Sequence, residues 1–377
     1  MNDWRTEFLN TKKWTYLNHA STGPIPATPL ALMKDILDRF ATDGELPKEE
    51  WEAMLADLRA RCARLIGADP DEVALTQSTT RGLQIVIAAI PWQQGDNVVI
   101  LKDNFPTNVY VWRNLDSRVE VRAAEGAQHA IAVDNVIRLM DDRTRAVSVD
   151  WVHFLSGHRI DLRRLADECH THGAYLIVDA IQGLGAIRLN VNDYPIDFLA
   201  CGGSKWLFAG QGAAFVYLSK RFWDRLRPAN IGWLGVDWPD FNRLPTDLPL
   251  KTSAARYEEG TRNLVIQFGM ARTLQMLESV GYDQIETAVL GFARQLRDGL
   301  AARGMTFVGD YDPATSGSGI VTFKSPLIPG AQIYEALHNR GIITSLRENA
   351  IRVSPHFYNT PEEINALLET LDALSRR

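Results

Sequence analysis

The chain has 377 residues, of which 46% are hydrophobic and 23% charged, fractions typical of folded proteins and not of disordered ones. Forty basic and 46 acidic residues give a net charge of -6, and no basic stripe or long apolar run is present, so neither a nucleic-acid partner nor a membrane span is expected. The N-terminal stretch MNDWRTEFLN lacks the features of a secretory signal, which predicts a cytoplasmic location. Three scattered cysteines predict neither a disulfide framework nor a metal site. They are Cys62, Cys169 and Cys201.

Short apolar, β-branched runs alternate with longer amphipathic segments over the first part of the chain. Such runs suit the strands of a mostly parallel sheet covered on both faces, so an α/β domain is predicted. Helices are predicted at Thr79–Ile90 and Ile160–Gly173. The predicted strands are Val73–Gln77, Asn97–Leu101, Val119–Ala123, Ala146–Phe154, Tyr175–Ala180, Phe198–Gly203 and Ala213–Ser219.

The pattern changes after Ser219. Residues 230–262 are rich in turn formers and predict a long irregular excursion, and excursions of that length are usually functional or contact a partner. We therefore predict a large domain with an N-terminal segment over residues 1–280 and a small α+β domain over 281–377. Helices are predicted at Leu264–Val280, Tyr282–Arg303, Ala331–Arg340 and Pro361–Ser375. Strands are predicted at Met305–Val308, Gly319–Phe323, Ile342–Leu346 and Ala350–Val353.

The carboxyl ends of the strands are where open α/β sheets bind ligands. Ser78, Thr79 and Thr80 follow the first long strand and open a helix, where hydroxyls and free N–H groups together form an anion cradle. A plain helix N-cap explains the same residues, because Ser and Thr are common caps.

Two charged residues follow neighbouring apolar strands. Asp179 ends one strand and Lys205 lies in the glycine-rich turn after the next, so the two side chains are expected to lie close together. Desolvation there lowers the pKa of a lysine and frees its amine for Schiff-base chemistry. A buried Asp–Lys salt bridge is the alternative.

A phosphate cradle, an acid for a ring nitrogen and a lysine for an aldehyde are together what pyridoxal 5′-phosphate (PLP) requires. The cofactor ring is usually covered by an aromatic side chain, and Phe105 in KDNFPTN follows a strand at a suitable position. A core phenylalanine is the alternative for Phe105.

At this point the sequence resembles the class-V aminotransferase family of fold-type I PLP enzymes. The likeness runs from TYLNHASTGPIP to IRVSPHFYNTPEE and is strongest in VDAIQGLGA and CGGSKWL. It implies a mostly parallel seven-stranded sheet with helices on both faces and a small C-terminal α+β domain. It also implies that Lys205 is the Schiff-base lysine, Asp179 the pyridinium partner and Gln182 a donor to the phenolic oxygen. The residues implied to hold the phosphate are Ser78, Thr79, Thr80 and Ser204, and Phe105 is implied to stack on the ring.

Two further segments match the family. The likeness of YEEGTRN implies that Gly260 and Thr261 reach the cofactor phosphate of the neighbouring subunit, so a homodimer is expected. A surface loop is the alternative, and Arg262 stands where relatives often have Pro. Arg352 in IRVSP matches the arginine that binds the substrate α-carboxylate, although a strand arginine is more often a surface charge.

Three more residues fall in segments that line the substrate side in relatives: His19, His153 and Trp233. A lone histidine is more often structural than catalytic, and packing alone explains a tryptophan. They are predicted substrate contacts with these alternatives open.

The resemblance implies that an α-amino acid is transformed through an external aldimine and a quinonoid. We predict an aminotransferase, with a Cβ-eliminating (C–S) lyase or a kynureninase-like or epimerase-like enzyme as alternatives. Cysteine desulfurases carry a cysteine in a mobile loop, and no cysteine lies in the corresponding residues 341–355, which disfavours that reaction. A non-catalytic scaffold with this fold is the alternative from another class of protein.

Overall fold

The computed structural model describes residues 4–113, 115, 118–126, 129–130, 132–239, 242–243 and 246–376. The β-strands are β1 Thr15–Tyr16, β2 Val73–Thr76, β3 Asn97–Leu101, β4 Glu120–Ala124, β5 Thr144–Asp150, β6 Tyr175–Asp179, β7 Phe198–Gly202, β8 Ala214–Leu218, β9 Thr306–Phe307, β10 Val321–Lys324, β11 Ile342–Ile343, β12 Ser345–Arg347 and β13 Ala350–Val353. The α-helices are α1 Ala27–Asp43, α2 Lys48–Ile66, α3 Thr79–Ala89, α4 Thr107–Arg113, α5 Val133–Ile137, α6 Leu162–Thr171, α7 Leu264–Val280, α8 Tyr282–Ala301, α9 Pro313–Ser316, α10 Gly330–Asn339 and α11 Pro361–Ser375.

The central sheet has seven strands in the described residues, in the order β2-β8-β7-β6-β5-β3-β4. β8 runs antiparallel to both of its neighbours, and the other pairs are parallel. This arrangement confirms the predicted mostly parallel sheet. A parallel sheet places the carboxyl ends of its strands along one edge, where ligands bind.

Helices cover both faces of this sheet. Successive side chains of a strand point to opposite faces, so neighbouring residues of one strand pack against helices on opposite sides. Leu176 of β6 lies in one apolar cluster with Phe268 of α7. The next residue, Ile177, lies in a second cluster with Leu83 of α3. The predicted helical cover of both faces is therefore confirmed.

The C-terminal part forms a smaller α+β unit. A four-stranded sheet in the order β12-β13-β10-β9 is antiparallel throughout, and its apolar cluster includes residues of α8, α10 and α11. The N-terminal segment joins this unit, because Thr15 of β1 pairs with Ile342 of β11 and Leu17 lies in the same cluster. The domain boundary at residue 280 stays a prediction.

One predicted strand ends earlier than expected. The apolar run Ala146–Phe154 predicts a strand to Phe154, but β5 ends at Asp150. The chain then turns back through Gly157, which has a left-handed φ of 76°, and Val152 pairs with Arg159. Phe154, the last residue of the run, packs against a cluster of Leu155, Val308 and Ala350, so the end of the run is apolar without being part of a strand.

The predicted irregular excursion at residues 230–262 is confirmed for its described residues. It holds only short 3-10 turns at Trp233–Gly235 and Ala254–Tyr257 and one isolated bridge between Val236 and Leu250. Residues 240, 241, 244 and 245 of this stretch lie outside the described residues. No helix in the described ranges has the length and apolar character that crossing a membrane requires.

Candidate active site

Three ionisable residues meet at the carboxyl edge of the central sheet. Asp150 ends β5 and pairs in register with Asp179, which ends β6. Asp179 in turn pairs with Ala200 of β7, the strand that leads into the turn carrying Lys205. The parallel register of three neighbouring strands therefore brings these side chains to one place, as the sequence predicts for Asp179 and Lys205.

The turn that carries Lys205 is packed closely against the N-terminal segment. The Ser204 carbonyl accepts a hydrogen bond of 2.8 Å from the Gly23 N–H. A Cβ at Gly23 would lie 2.0 Å from the Lys205 carbonyl oxygen, so only glycine fits at position 23. This contact holds the backbone of Lys205 in place.

Asp179 is buried and held through both carboxylate oxygens. Its Oδ1 accepts a hydrogen bond of 3.0 Å from the Ile181 N–H, and its Oδ2 accepts one of 2.9 Å from Asn108 Nδ2. Burial raises the pKa of Asp179 to about 6, although these hydrogen bonds and the charge of Lys205 act in the opposite direction. About nine tenths of this group is therefore ionised at pH 7.

Burial has the opposite effect on Lys205. It lowers the pKa of the amine to about 8, with Asp179 opposing the shift and Arg352 adding to it. About one tenth of the amine is therefore unprotonated at pH 7, far more than for an exposed lysine. The Nζ lies 5.4 Å from the centroid of the Phe105 ring.

Phe105 presents its ring beside this amine and not in the core. The side chain is 44% exposed, and its ring contacts Phe154 edge to face at 5.5 Å between centroids. The core interpretation of Phe105 is therefore wrong, because the ring lies at the sheet edge.

The three hydroxyl residues lie at the start of α3. Ser78 is the N-cap, and its Oγ accepts a hydrogen bond of 3.1 Å from the Arg81 N–H. Thr79 Oγ1 accepts one of 3.0 Å from the Gly202 N–H at the end of β7, and Thr80 Oγ1 lies 3.0 Å from Thr107 Oγ1. The N-cap interpretation is confirmed, while the phosphate contact stays a prediction compatible with it, since the positive helix end lies at the same sheet edge.

Gln182 is held at both ends of its amide. Its Nε2 donates to the Ala20 carbonyl and its Oε1 accepts from Trp206 Nε1, both at 3.0 Å. The side chain thus ties the N-terminal segment to the residue after Lys205. One amide N–H remains for the predicted contact with a phenolic oxygen, which stays a prediction.

Arg352 of β13 is buried and faces the same site. Its two terminal nitrogens donate to the Phe154 carbonyl at 2.7 Å and to Ser21 Oγ at 2.6 Å, and its Nε has no partner in the described residues. Burial lowers the pKa of the guanidinium to about 10. No Asp or Glu among the described residues forms a salt bridge with it, so the buried cation has no counter-charge within that part of the chain.

Both predicted histidines have their ring nitrogens committed to the protein. His19 Nδ1 donates to the Ser354 carbonyl at 2.7 Å and Nε2 accepts from the Tyr358 hydroxyl at 2.8 Å, and burial lowers the pKa of His19 to about 3. His153 Nε2 donates to the Asp103 carbonyl at 2.6 Å, and burial also lowers the pKa of His153. The structural alternative explains both, and substrate contact stays a prediction.

Gly260, Thr261 and Trp233 lie together, beside the start of α3. The indole Nε1 of Trp233 would lie 3.5 Å from a Cβ at Gly260, and Trp233 is 45% exposed. Glu259, which precedes Gly260, forms a salt bridge with Arg81 of α3. The structure therefore does not show these residues in contact with Lys205 or Asp179 of the same chain.

Comparison with known proteins identifies the family. The family model described as "Aminotransferase class-V" matches residues 15–367. The chain belongs to the class-V aminotransferase family. Members of this family are PLP-dependent enzymes, which disfavours the scaffold alternative.

Two curated relatives match this chain over nearly their whole length. The uncharacterized aminotransferase YcbU of Bacillus subtilis (strain 168) is 28% identical over 98% of this chain and 97% of its own. The kynureninase of Bacillus anthracis is 26% identical over 97% and 89%. These relatives carry different names for their reactions, so the family alone does not determine the reaction.

Solved structures share the fold at low sequence identity. The apo cysteine desulfurase from Thermococcus onnurineus NA1 matches with a TM-score of 0.87 at 21% identity, over 99% of this chain and 97% of that one. The cystine C-S lyase C-DES, in complex with cysteine persulfide, matches with a TM-score of 0.87 at 21% identity over 97% and 98%. Both structures confirm the predicted fold of this chain.

The residues at the sheet edge fit PLP. A pyridine ring needs a carboxylate facing its nitrogen, and Asp179 is a buried carboxylate whose protein donors leave its oxygens with acceptor capacity. An aldehyde needs a neutral amine, and burial makes that form of Lys205 accessible near pH 7. The exposed ring beside that amine, Phe105, offers a stacking surface.

Several polar residues of this edge are absent from the sequence prediction. Asn108 donates to Asp179, Asn104 donates to Asp150, and Ser21 accepts from Arg352. Asn104 and Asn108 both lie in the stretch KDNFPTN that identifies Phe105, so this stretch carries a signal for them. Asp150 lies inside the predicted strand Ala146–Phe154, so the sequence does not indicate that it ends a strand.

Proposed function

We propose that this protein is a PLP-dependent aminotransferase that acts on an α-amino acid. The observation that carries the proposal is that a partly buried amine, Lys205, and a buried carboxylate, Asp179, lie at the ends of neighbouring strands and influence each other's pKa. When bound, PLP supplies a ring that accepts electrons from the substrate Cα. An ionised Asp179 would face the ring nitrogen and hold a proton there, which would favour this electron transfer.

Lys205 is the proposed base. Its amine would hold the cofactor aldehyde, and in its neutral form it would remove the proton from the substrate Cα. A pKa of about 8 suits this role, because the neutral form is populated near physiological pH while the protonated form returns the proton. Phe105, whose ring lies beside the amine, is proposed to cover one face of the cofactor ring and to exclude water from it.

Arg352 is proposed to bind the substrate α-carboxylate. A buried guanidinium without a protein counter-charge is costly, and a carboxylate in the site supplies that charge. The planar group forms two parallel hydrogen bonds with a carboxylate, which also fixes the orientation of the Cα. Ser21 and the Phe154 carbonyl hold two of its nitrogens and thereby set its direction.

The phosphate is proposed to lie at the start of α3, near Ser78, Thr79, Thr80 and Ser204. The positive end of a helix and its free N–H groups stabilise an anion by about 0.3–1 kcal/mol or more where burial reduces screening. Gln182 is proposed to donate its remaining amide N–H to the phenolic oxygen. His19, His153 and Trp233 remain candidates for contacts at the substrate side.

The active unit is proposed to be a homodimer. Gly260 and Thr261 lie on the loop beside Arg81, and we propose that they reach the phosphate of the neighbouring subunit. Large apolar side chains are exposed around the site and support an interface there. They are Phe105, Tyr110, Ile231 and Trp233. A cytoplasmic location is part of the same proposal.

A Cβ-eliminating lyase is the second candidate, because elimination begins with the same proton removal by Lys205. Kynureninase-like and epimerase-like reactions share that step too. Desulfuration through a protein persulfide is not proposed, since Cys62, Cys169 and Cys201 are all buried and their thiol pKa values are raised by that burial. A sulfur acceptor needs an accessible thiolate.

The test is to mix the PLP-loaded protein with a panel of α-amino acids. Lasting conversion of the cofactor to pyridoxamine phosphate, reversed by a keto acid, supports transamination. Release of ammonia and a keto acid without that conversion overturns transamination and supports the lyase. Loss of optical activity in the amino acid, with neither product, supports an epimerase. The Lys205→Ala variant is the control for reactions that do not need the site.

A further inference from the structure

A second buried carboxyl group, Asp150, lies beside the one proposed to face the cofactor ring. It ends β5 in register with Asp179 of β6 and is 6% exposed. Its Oδ1 accepts a hydrogen bond of 3.1 Å from Asn104 Nδ2, while its Oδ2 has no partner in the described residues. No Lys, Arg or His among the described residues forms a salt bridge with Asp150. A buried carboxyl without a cation is unusual and calls for an explanation.

Asn104 connects this carboxyl to the site. Its Oδ1 accepts hydrogen bonds from the Phe105 N–H at 2.6 Å and from Asn108 Nδ2 at 3.3 Å. Because two N–H donors face this oxygen, the amide nitrogen of Asn104 must point the other way, to Asp150. The direction of the Asn104 side chain is therefore determined by its three partners together.

Asn108 completes the connection. It lies in the first turn of α4, and its Nδ2 donates both to Asn104 Oδ1 and to Asp179 Oδ2, the latter at 2.9 Å. A continuous chain of hydrogen bonds thus runs from Asp150 through Asn104 and Asn108 to Asp179. Asn104 Oδ1 also accepts from the Phe105 N–H, so the same network of hydrogen bonds holds the backbone of Phe105.

We propose that Asp150 is a positioning residue that, through Asn104, sets the placement of the Asp179 carboxylate and of the Phe105 ring. The inference rests on the proposed function of the site. Removing the acceptor at position 150 leaves a buried N–H of Asn104 unsatisfied, and a side chain in that state turns towards another partner. Asn108 and the Phe105 backbone then lose the oxygen that holds them.

The ionisation of the pair agrees with this role. Burial raises the pKa of Asp150 to about 7, and a charged Asp150 would in turn raise the pKa of Asp179. A neutral Asp150 keeps the acceptor oxygen that Asn104 needs without adding a like charge beside Asp179.

The experiment compares Asp150→Leu, Asn104→Leu and Asp150→Asn with the wild-type protein, all loaded with PLP. The readouts are the visible circular dichroism of the bound cofactor, which reports the orientation of its ring, and the rate at which cofactor is lost on dilution. Ser148→Ala is the matched control, since Ser148 is buried on the same strand and its hydroxyl has no partner in the described residues. Thermal unfolding of each cofactor-free variant shows whether it folds.

We expect Asp150→Leu and Asn104→Leu to weaken the dichroic band and to accelerate cofactor loss by about tenfold, as supporting residues of bound groups commonly do. Asp150→Asn keeps an oxygen that accepts from Asn104, so it should resemble the wild type. Wild-type behaviour of both leucine variants overturns the inference. A defect in Asp150→Asn as large as in Asp150→Leu also overturns it, because the charge and not the hydrogen bond would then matter.

Failure of the proposed function is a different result. In that case the wild-type protein binds no PLP at Lys205, and the Lys205→Ala variant has the same spectrum as the wild type. That outcome overturns the inference together with the proposal on which it rests. A normal wild-type spectrum that disappears in Lys205→Ala, with unchanged leucine variants, overturns the inference alone.

Discussion

The Lys205 amine lies 5.4 Å from the centroid of the Phe105 ring, although the two residues are far apart in the sequence. Lys205 follows β7 and Phe105 follows β3, so the sheet order places β6 and β5 between their strands. The contact therefore comes from the side chains and loops that extend over the carboxyl edge. The space between a reactive amine and a half-exposed aromatic ring is where we propose the cofactor ring to bind.

The first prediction concerns this amine. Lys205→Ala should abolish the visible absorption of the PLP-loaded protein. It should also abolish the increase in protein mass that borohydride reduction of the bound cofactor produces, because no other amine is proposed to react. Lys102→Ala, which removes an exposed lysine paired with Glu125, should leave both unchanged. Peptide mass spectrometry locates the reduced adduct, and an adduct on any other lysine contradicts the assignment.

The second prediction is a pH dependence of cofactor loading. The reacting form of Lys205 is the unprotonated amine, and burial lowers its pKa to about 8. The rate at which the cofactor-free protein binds PLP should therefore rise about tenfold from pH 6 to pH 7 and level off above about pH 8. Stopped-flow absorbance measures this rate, with ionic strength held constant. A rate that keeps rising to pH 10 would show that the lysine titrates as an exposed one.

The third prediction concerns substrate recognition by Arg352. Arg352→Lys should raise the KM for an α-amino acid by about 10- to 100-fold, because an ammonium cannot form the paired hydrogen bonds of a guanidinium. The rate with the corresponding amine that lacks the carboxylate should change little. Arg163→Lys, an exposed change on α6, is the control. Equal losses for the acid and the amine would mean that Arg352 supports the fold and not the carboxylate.

The fourth prediction tests the shared site. If Thr261 acts on the neighbouring subunit, a mixed dimer of one Lys205→Ala chain and one Thr261→Ala chain contains one intact site and one doubly defective site. Mixing and reassociating equal amounts of the two variants should then recover about a quarter of the wild-type rate, because random pairing makes about half of the dimers mixed and each mixed dimer has one intact site of two. Activity no greater than the sum of the parents would place Thr261 with its own Lys205.

The fifth prediction concerns the cysteines. All three thiols are buried and burial raises their pKa values, so the native protein should resist alkylation and react only after unfolding. Cys201→Ala should retain turnover, because the thiol at the end of β7 is proposed to pack and not to react. Intact-mass measurement follows the alkylation. A folded Cys201→Ala protein without activity would reopen persulfide chemistry.

Much of the fold follows from local patterns. The seven short apolar runs predict all seven strands of the central sheet, and Leu264–Val280, Ala350–Val353 and Pro361–Ser375 match the structure to the residue. Helices α1 and α2 were left out of the prediction, although Leu55, Leu58, Cys62 and Leu65 recur at helical spacing. The pattern that predicts α2 is therefore present in the sequence.

The sequence by itself determined the elements, the family and the chemical identity of the central pair, because apolar periodicity and motifs such as CGGSKWL are written in adjacent residues. Only the tertiary structure decided that Asp150 ends its strand beside Asp179, that two asparagines link them, and that His19 is held between Ser354 and Tyr358. Strand register and hydrogen-bond partners join residues distant in the chain. Their energies depend on burial that no local stretch of sequence specifies.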